Sequence, residues 1–388
     1  MGKNPLVNSL IEEKDLKKRE ASYPLEVVRC ESCSLVQVRD PIDAEKIYKE
    51  VDYLYLSSDM PGLSEYFKGY AHDVMQRFIK ERGFVVEIGS NDGIMLRHFA
   101  DAGHAILGVD PATNVAIRAM SLGIPTLPLF FTHRVAKLIQ KEMGRADVMY
   151  ANNCIAHIND LDDVMWGVFE LLKDNGVFVI ECNYWGGMVK NKNYALIYHD
   201  HFSYFSLKNW VDYAPKFGFK VFDATVTPAQ GGSLRVFMSK EPRETTDSFE
   251  NLQESEEKSG LNTLLVARDY GRDCLTEALK LHKLISSLRA EGKTIAGYGA
   301  AAKGFSVLKL AGITQKHIDY FVDDSPAKQG KFTPITHIPV ISRKEAEEKL
   351  PDYFFITAPN YADVIMAKET AFKGAGGKFI LCDSTIVG

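Results

Sequence analysis

Between residues 84 and 239 strand-length apolar runs recur along the chain: FVVEIG, AILGVDP, a short run from Pro125 to Leu129, DVMYANN and GVFVIECNY. They are near-continuously apolar rather than alternating, and helix-length segments separate them. That pattern predicts a parallel sheet with helices on both faces. FKVFDATVT and GSLRVFMSK then read as a hairpin closing the sheet, and LSEYFKGYAHDVMQRFIKE as a helix leading into it. Upstream, YPLEVVRCESCSLVQV reads as a strand, a CxxC turn and a second strand, too little to bury a core of its own. Downstream, TIAGYGA, IDYFVDD, HIPVI, YFFITA and KFILCD are five further strand candidates of a second, smaller α/β layer. A long helix precedes that layer, with Leu275, Leu279, His282, Ile285 and Leu288 at spacings of three and four and Gly292 at its stop. The expected division is 1–62, a short N-terminal segment; 63–240, the central α/β unit; 241–290, an acidic linker and the long helix; and 291–388, the C-terminal α/β unit.

Composition narrows the class. The 388 residues are 46% hydrophobic and 25% charged, the balance of a globular protein of more than one domain. The net charge is −5, and residues 241–260, with seven acids and two bases, carry all of it. Without a basic excess the chain is not expected to bind nucleic acid. No uncharged apolar run has the roughly 18 residues a membrane helix needs, and MGKNPLVNSL lacks a signal-peptide pattern, so the expectation is a cytoplasmic protein without a membrane partner. Six scattered cysteines do not form a disulfide framework, and only Cys30 and Cys33 have metal or redox spacing.

Chemistry gathers at the ends of the apolar runs. Glu87, Gly89 and Gly93 give E-x-G-x-x-x-G directly after a strand, and Asp110 ends the next one. A glycine turn lets backbone approach a ligand, and an acid at the second strand tip accepts ribose hydroxyls. An acid ahead of the first glycine suits a cationic S-adenosylmethionine better than a pyrophosphate. Phe130 and Phe131 are placed to sandwich an adenine, and Asn152 and Asn153, at the edge where ligands of open sheets bind, to contact the methionine part. His157 stands about one helical turn further on. Tyr198, His199, Asp200 and His201 are four successive residues able to exchange protons, a general base with its orienting partners or a hydrogen-bonded turn. In GYGAAAKG, Gly299 and Gly304 with Lys303 form a candidate phosphate site, and Asp323 closes the next strand, which leaves a nicotinamide cofactor open.

RCESCSLVQV, VVEIGSNDG, NNCIAHINDL, IYHDHFSYFSL, QGGSLRV, GYGAAAKG and DDSPAKQGKFTPITHIPV, taken in order, resemble the S-adenosylmethionine-dependent C-methyltransferases of nucleotide-linked deoxysugars. The resemblance spans nearly the whole chain. It implies a central Rossmann-like methyltransferase domain, a C-terminal Rossmann-like domain, and a sugar nucleotide held between them. It assigns S-adenosylmethionine to Glu87, Gly89, Asn91, Gly93, Asp110, Asn152 and Asn153, and the chemistry to His157, Tyr198, Asp200 and His201. The implied reaction removes a proton alpha to a C4 ketone, with methylation at C3. His201 is the leading base, Asp200 or Tyr198 orients it, and His157 or Tyr198 bonds the enolate oxygen. The family has Glu where this chain has Asp200. It also implies an N-terminal structural Zn²⁺, for which Cys30 and Cys33 supply half a ligand set; the expectation is a start assigned inside the zinc unit, or zinc lost. The rival readings are an NAD(P)-dependent sugar-nucleotide oxidoreductase, an O- or N-methyltransferase of a sugar, and a binding protein that keeps the fold. A monomer or small homo-oligomer is expected.

Overall fold

The computed structural model describes all residues except 1, 7, 8, 50–52, 54 and 61. Seven strands build the central sheet: β1 Phe84–Ile88, β2 Ala105–Val109, β3 Thr126–Leu127, β4 Ala146–Asn152, β5 Leu172–Asn183, β6 Lys220–Thr227 and β7 Ser233–Ser239. Their order is β6-β7-β5-β4-β1-β2-β3. The first five are parallel, and β6–β7 is the expected antiparallel hairpin, added against β5. The apolar runs are continuous because both faces are covered. Val86, Ile88, Leu107, Phe178 and Ile180 pack with helices His133–Met143 and Leu161–Leu171, while Val85, Ile106, Val148 and Val179 pack with Leu63–Phe78 and Ile94–Asp101. This is a Rossmann-like layer whose strand order reverses between the parallel neighbours β1 and β4, so a crevice opens at their C-terminal ends.

The second sheet holds β8 Ile295–Tyr298, β9 Phe321–Val322, β10 Val340–Ile341, β11 Tyr353–Ile356, β12 Lys378–Ile380 and β13 Ile386–Val387, in the order β10-β9-β8-β11-β12-β13. All five expected strands are present and parallel; β13, a sixth, pairs antiparallel to β12.

Two expectations for the connection are corrected. The acidic stretch is not a linker but a helix, Asp247–Ser259, N-capped by Thr246 and carrying a buried Glu256. That carboxylate accepts from the amides of Leu207 and Lys208, so it closes the exposed start of helix Leu207–Tyr213. The long helix, Leu264–Ala290, buries Tyr270, Cys274, Ala278, Leu281, Ile285 and Leu288, one position out of phase with part of the expected stripe. Leu275 and Leu279 are 54% and 70% exposed. Its buried face belongs to the same apolar cluster as the central sheet and Ile295, Leu308 and Phe355 of the C-terminal unit.

Residues 27–38 form the expected hairpin around the CxxC turn, Val27–Arg29 against Val36–Val38. A third strand completes it from far along the chain: Ser203–Tyr204 pairs with Val36–Val38. Among the described residues, no helix is long and apolar enough to cross a membrane.

Candidate functional site

At the C-terminal ends of β1, β2 and β4 lies a cavity of about 510 Å³, within the roughly 300–1,000 Å³ usual for pre-formed ligand sites. Gly89, Asn91, Asp110, Phe131, Asn152, Asn153 and His157 all line it. Gly89 has φ +66°, and a Cβ there would stand 2.5 Å from the Cβ of Cys154, so the turn admits no side chain. Asp110 accepts from the amides of Asn91 and Ala112 at 2.8 and 2.9 Å, and burial pushes its carboxyl up to about 6. Phe131 packs on Gly167 and lines the cavity. Asn152 Oδ1 and Asn153 Oδ1 are buried acceptors without a partner among the described residues. Such acceptors beside an acid fit the ammonium and hydroxyls of S-adenosylmethionine, since unbonded they cost about 1–3 kcal/mol each.

Two expected cofactor contacts do not reach the cavity wall. Glu87 is buried behind Asn152, accepting from its Nδ2 at 3.0 Å, and burial pushes its carboxyl up to about 8. It therefore positions Asn152 as a largely neutral acid near pH 7. Gly93 makes room for Ile124, which a Cβ would meet at 2.7 Å. Asn91 lines the cavity, but its side chain is engaged elsewhere. Its Nδ2 donates to the Tyr55 carbonyl and its Oδ1 accepts from the Ser57 amide. These bonds hold Tyr55 and Ser57 at the cavity, and Asp92 adds a bond to the Ser58 amide.

Next to the cavity is a buried cluster of proton-exchanging groups. Tyr198 Oη lies 2.8 Å from His201 Nε2, and His201 Nδ1 lies 2.8 Å from the Leu196 carbonyl. The carbonyl can only accept, so Nδ1 carries the hydrogen and Nε2 accepts from the phenol. Burial, the nearby His157 and the charge of Lys303 hold His201 well below the usual histidine range. His157 faces His201 with ring centroids 4.9 Å apart, and its Nδ1 meets Tyr48 Oη at 2.6 Å; burial pulls it down to about 4. Asp200 does not orient His201, because no described residue hydrogen-bonds to its carboxyl group. Burial alone pushes that group up to about 7. His199 Nε2 is bonded to the Pro24 carbonyl, a structural tie to the N-terminal segment.

The sequence reading missed Tyr48, Tyr53, Tyr55 and Gln230, which line the same cavity. Tyr48 ends the short helix Ala44–Tyr48, which the sequence pattern does not single out. Gln230 sits at φ +53° in the β6–β7 turn.

The C-terminal glycine loop departs from a phosphate cradle. A Cβ on Gly304 would stand 2.5 Å from Thr357 Cβ, and Thr357 also bonds the Gly299 carbonyl. Asp323 accepts from the Ala300 and Ser325 amides and pairs with Lys328 Nζ at 3.1 Å, contacts that fasten the loop. Lys303 points away from the loop to Gln230 Oε1, 3.2 Å distant. At the N-terminus, Cys30 is half-buried and Cys33 exposed, and neighbouring donors from Cys33 and Ser32 lower the Cys30 thiol. Among the described residues no group of three or more His, Cys, Asp or Glu side chains is placed to hold a metal ion, so a four-ligand zinc site does not fit the residues present.

Comparison with known proteins covers the chain in three stretches. Family models match at residues 1–48 ("Putative zinc binding domain"), 63–224 ("Methyltransferase domain") and 228–382 ("C-methyltransferase C-terminal domain"). The C-methyltransferase NovU of Streptomyces niveus is 33% identical over 383 residues, 98% of this chain and 91% of that protein. Among solved structures, the plantazolicin methyltransferase BpumL in complex with SAH aligns over 51% of this chain and 94% of its own, at 12% identity and TM-score 0.40. The PH0226 protein from Pyrococcus horikoshii OT3 aligns over 52% and 100%, at 13% identity and TM-score 0.38.

Proposed function

Because the chain belongs to the C-methyltransferase family and is an S-adenosylmethionine-dependent methyltransferase, we propose that it methylates C3 of a nucleotide-linked 4-keto-deoxysugar. When bound, S-adenosylmethionine supplies an electrophilic methyl group. Asn152, Asn153 and Asp110 would hold it, with Phe131 as a wall, in the cavity at the ends of β1, β2 and β4.

The observation that carries this reading is the buried cluster of Tyr198, Asp200, His201 and His157 beside that cavity. A lone pair on oxygen or nitrogen is a nucleophile once its proton is shed. A sugar carbon must first be made one, which needs a base for a weakly acidic C–H and a partner for the charge that moves onto the ketone oxygen. His201 Nε2 is neutral and already directed at the Tyr198 phenol, so the pair works as a relay: Tyr198 passes its proton to His201 as it takes one from carbon. His157, held neutral and fixed by Tyr48, bonds the ketone side. The specific observation favouring a second base is Asp200, whose carboxyl is raised to about 7 without any described hydrogen-bond partner. The oxidoreductase reading is disfavoured by the family, which is that of C-methyltransferases.

The test incubates the protein with S-adenosylmethionine and a panel of dTDP-4-keto-deoxysugars. Mass spectrometry is expected to find one added CH₂ on a single panel member, and ¹³C-methyl NMR to show it bonded to C3. Donor binding without transfer to any member, or transfer to oxygen, overturns the proposal.

A further inference from the structure

The spacing of the C-terminal glycine loop placed Lys303 with Gly299 and Gly304 at a phosphate. Its side chain leaves that loop. Lys303 stands in the first turn of helix Ala302–Ala311, and its Nζ crosses from the C-terminal unit to donate to Gln230 Oε1 in the β6–β7 turn. Gln230 lines the donor cavity, and its Nε2 donates to the Tyr55 hydroxyl at 3.4 Å. The ammonium therefore ends beside the methyl-transfer cavity and the His201 cluster rather than at the glycine loop. No described carboxylate lies within ion-pair distance of it, and burial pulls it down to about 8. A partly buried cation with no described counter-charge is costly to hold, and an anion arriving with the substrate or forming from it offsets that cost.

Two anions are on offer in a sugar nucleotide, the diphosphate and the oxygen of an enolate. A diphosphate belongs at the glycine-loop amides, but the Ala300 amide there is already bonded to the Asp323 carboxylate, which would repel it. On the reading of the reaction given above, we propose that Lys303 is a catalytic residue whose ammonium pairs with the C4 oxygen and stabilises the charge that gathers there. The C3–H bond breaks and its proton goes to the Tyr198–His201 relay. The C–H electron pair becomes the C3–C4 double bond, and the carbonyl π pair moves onto oxygen. Lys303 keeps its proton throughout and loses only solvent.

The test follows C3–H exchange in D₂O by NMR, with S-adenosylhomocysteine in the donor cavity and the panel member that wild type turns over. Lys303→Met and Lys303→Gln are expected to lose exchange about a hundredfold, the scale of a removed oxyanion partner, with dTDP affinity within about threefold of wild type. Lys303→Arg keeps the charge and is expected to restore at least a tenth of the exchange. Lys303→Gln retains a polar partner for Gln230, and S-adenosylhomocysteine titration certifies the fold of each variant. Unchanged exchange with dTDP affinity weakened tenfold or more would make Lys303 a phosphate anchor and overturn the proposal. Wild type that exchanges no proton on any panel member overturns the proposed reaction, and this inference with it.

Discussion

The hydroxyl of Tyr198 donates to Nε2 of His201 over 2.8 Å, and the two rings lie with centroids 4.1 Å apart, so the two side chains share one proton position. If they act as one relay, removing either half removes most of what both contribute. Tyr198→Phe and His201→Asn are each expected to lower C3–H exchange by about 10²–10⁴-fold, the range of general-base contributions. The double variant is expected to fall little further. Additive losses, measured by the same exchange assay, would mean that the two residues act separately.

Glu87 links pH to stability. Its folded carboxyl is raised to about 8 from the ordinary 4.5, so the unfolded state ionises first and stability falls as pH rises between those values. The slope from this one group is at most about 1.4 kcal/mol per pH unit. Glu87→Gln removes it. In thermal melts of ligand-free protein, the melting temperature of the variant relative to wild type is expected to rise from pH 6 to pH 8. Asp200, raised to about 7, adds to the wild-type slope in the same direction over the lower part of that window, and leaves the difference untouched because both proteins carry it.

Asn91 ties the segment Tyr55–Ser57 to the cavity through two side-chain bonds. Net hydrogen bonds contribute about 0.5–1.5 kcal/mol each, so Asn91→Ala is expected to weaken S-adenosylmethionine binding about tenfold by calorimetry. Cleavage by a non-specific protease between residues 55 and 59 should increase in step. Weakened binding with unaltered cleavage would assign Asn91 a direct contact with the cofactor instead.

Gly89→Ala places a Cβ against Cys154 in a left-handed conformation. Backbone strain and overpacking each cost about 1–3 kcal/mol, and urea denaturation is expected to report a loss of about 2–5 kcal/mol. Gly103→Ala also has positive φ but open space around it, and so isolates the conformational part of that loss.

The sheets were legible because their strands are buried on both faces, which leaves unbroken apolar runs of strand length that alternate with helix-length segments. The phase of Leu264–Ala290 was not, since leucines lie on both of its sides and small residues such as Ala278 and Cys274 fill the closest contacts. At the site, strand ends announced Gly89, Asp110 and Asn152. Gly93 and Gly304 leave room for Ile124 and Thr357, a packing role that glycine spacing does not distinguish from the approach of a ligand. Tyr48, Tyr53, Tyr55 and Gln230 were hidden because what gives them a role is tertiary placement, which no local period encodes. Lys303 was found in the sequence but assigned to the wrong neighbour, since a long flexible side chain reaches beyond the loop that carries it.

The pairing of Val36–Val38 with Ser203–Tyr204 sets a timetable for the nascent chain. The ribbon around Cys30 leaves the ribosome early yet lacks its outer strand until the whole first half of the protein has emerged, so closing it is a late, long-range event. The same closure fixes the backbone directly after His201. Removal of residues 1–38, which stops short of the residues lining the donor cavity, would therefore leave a protein that still holds its methyl donor but has its proton-handling residues out of alignment.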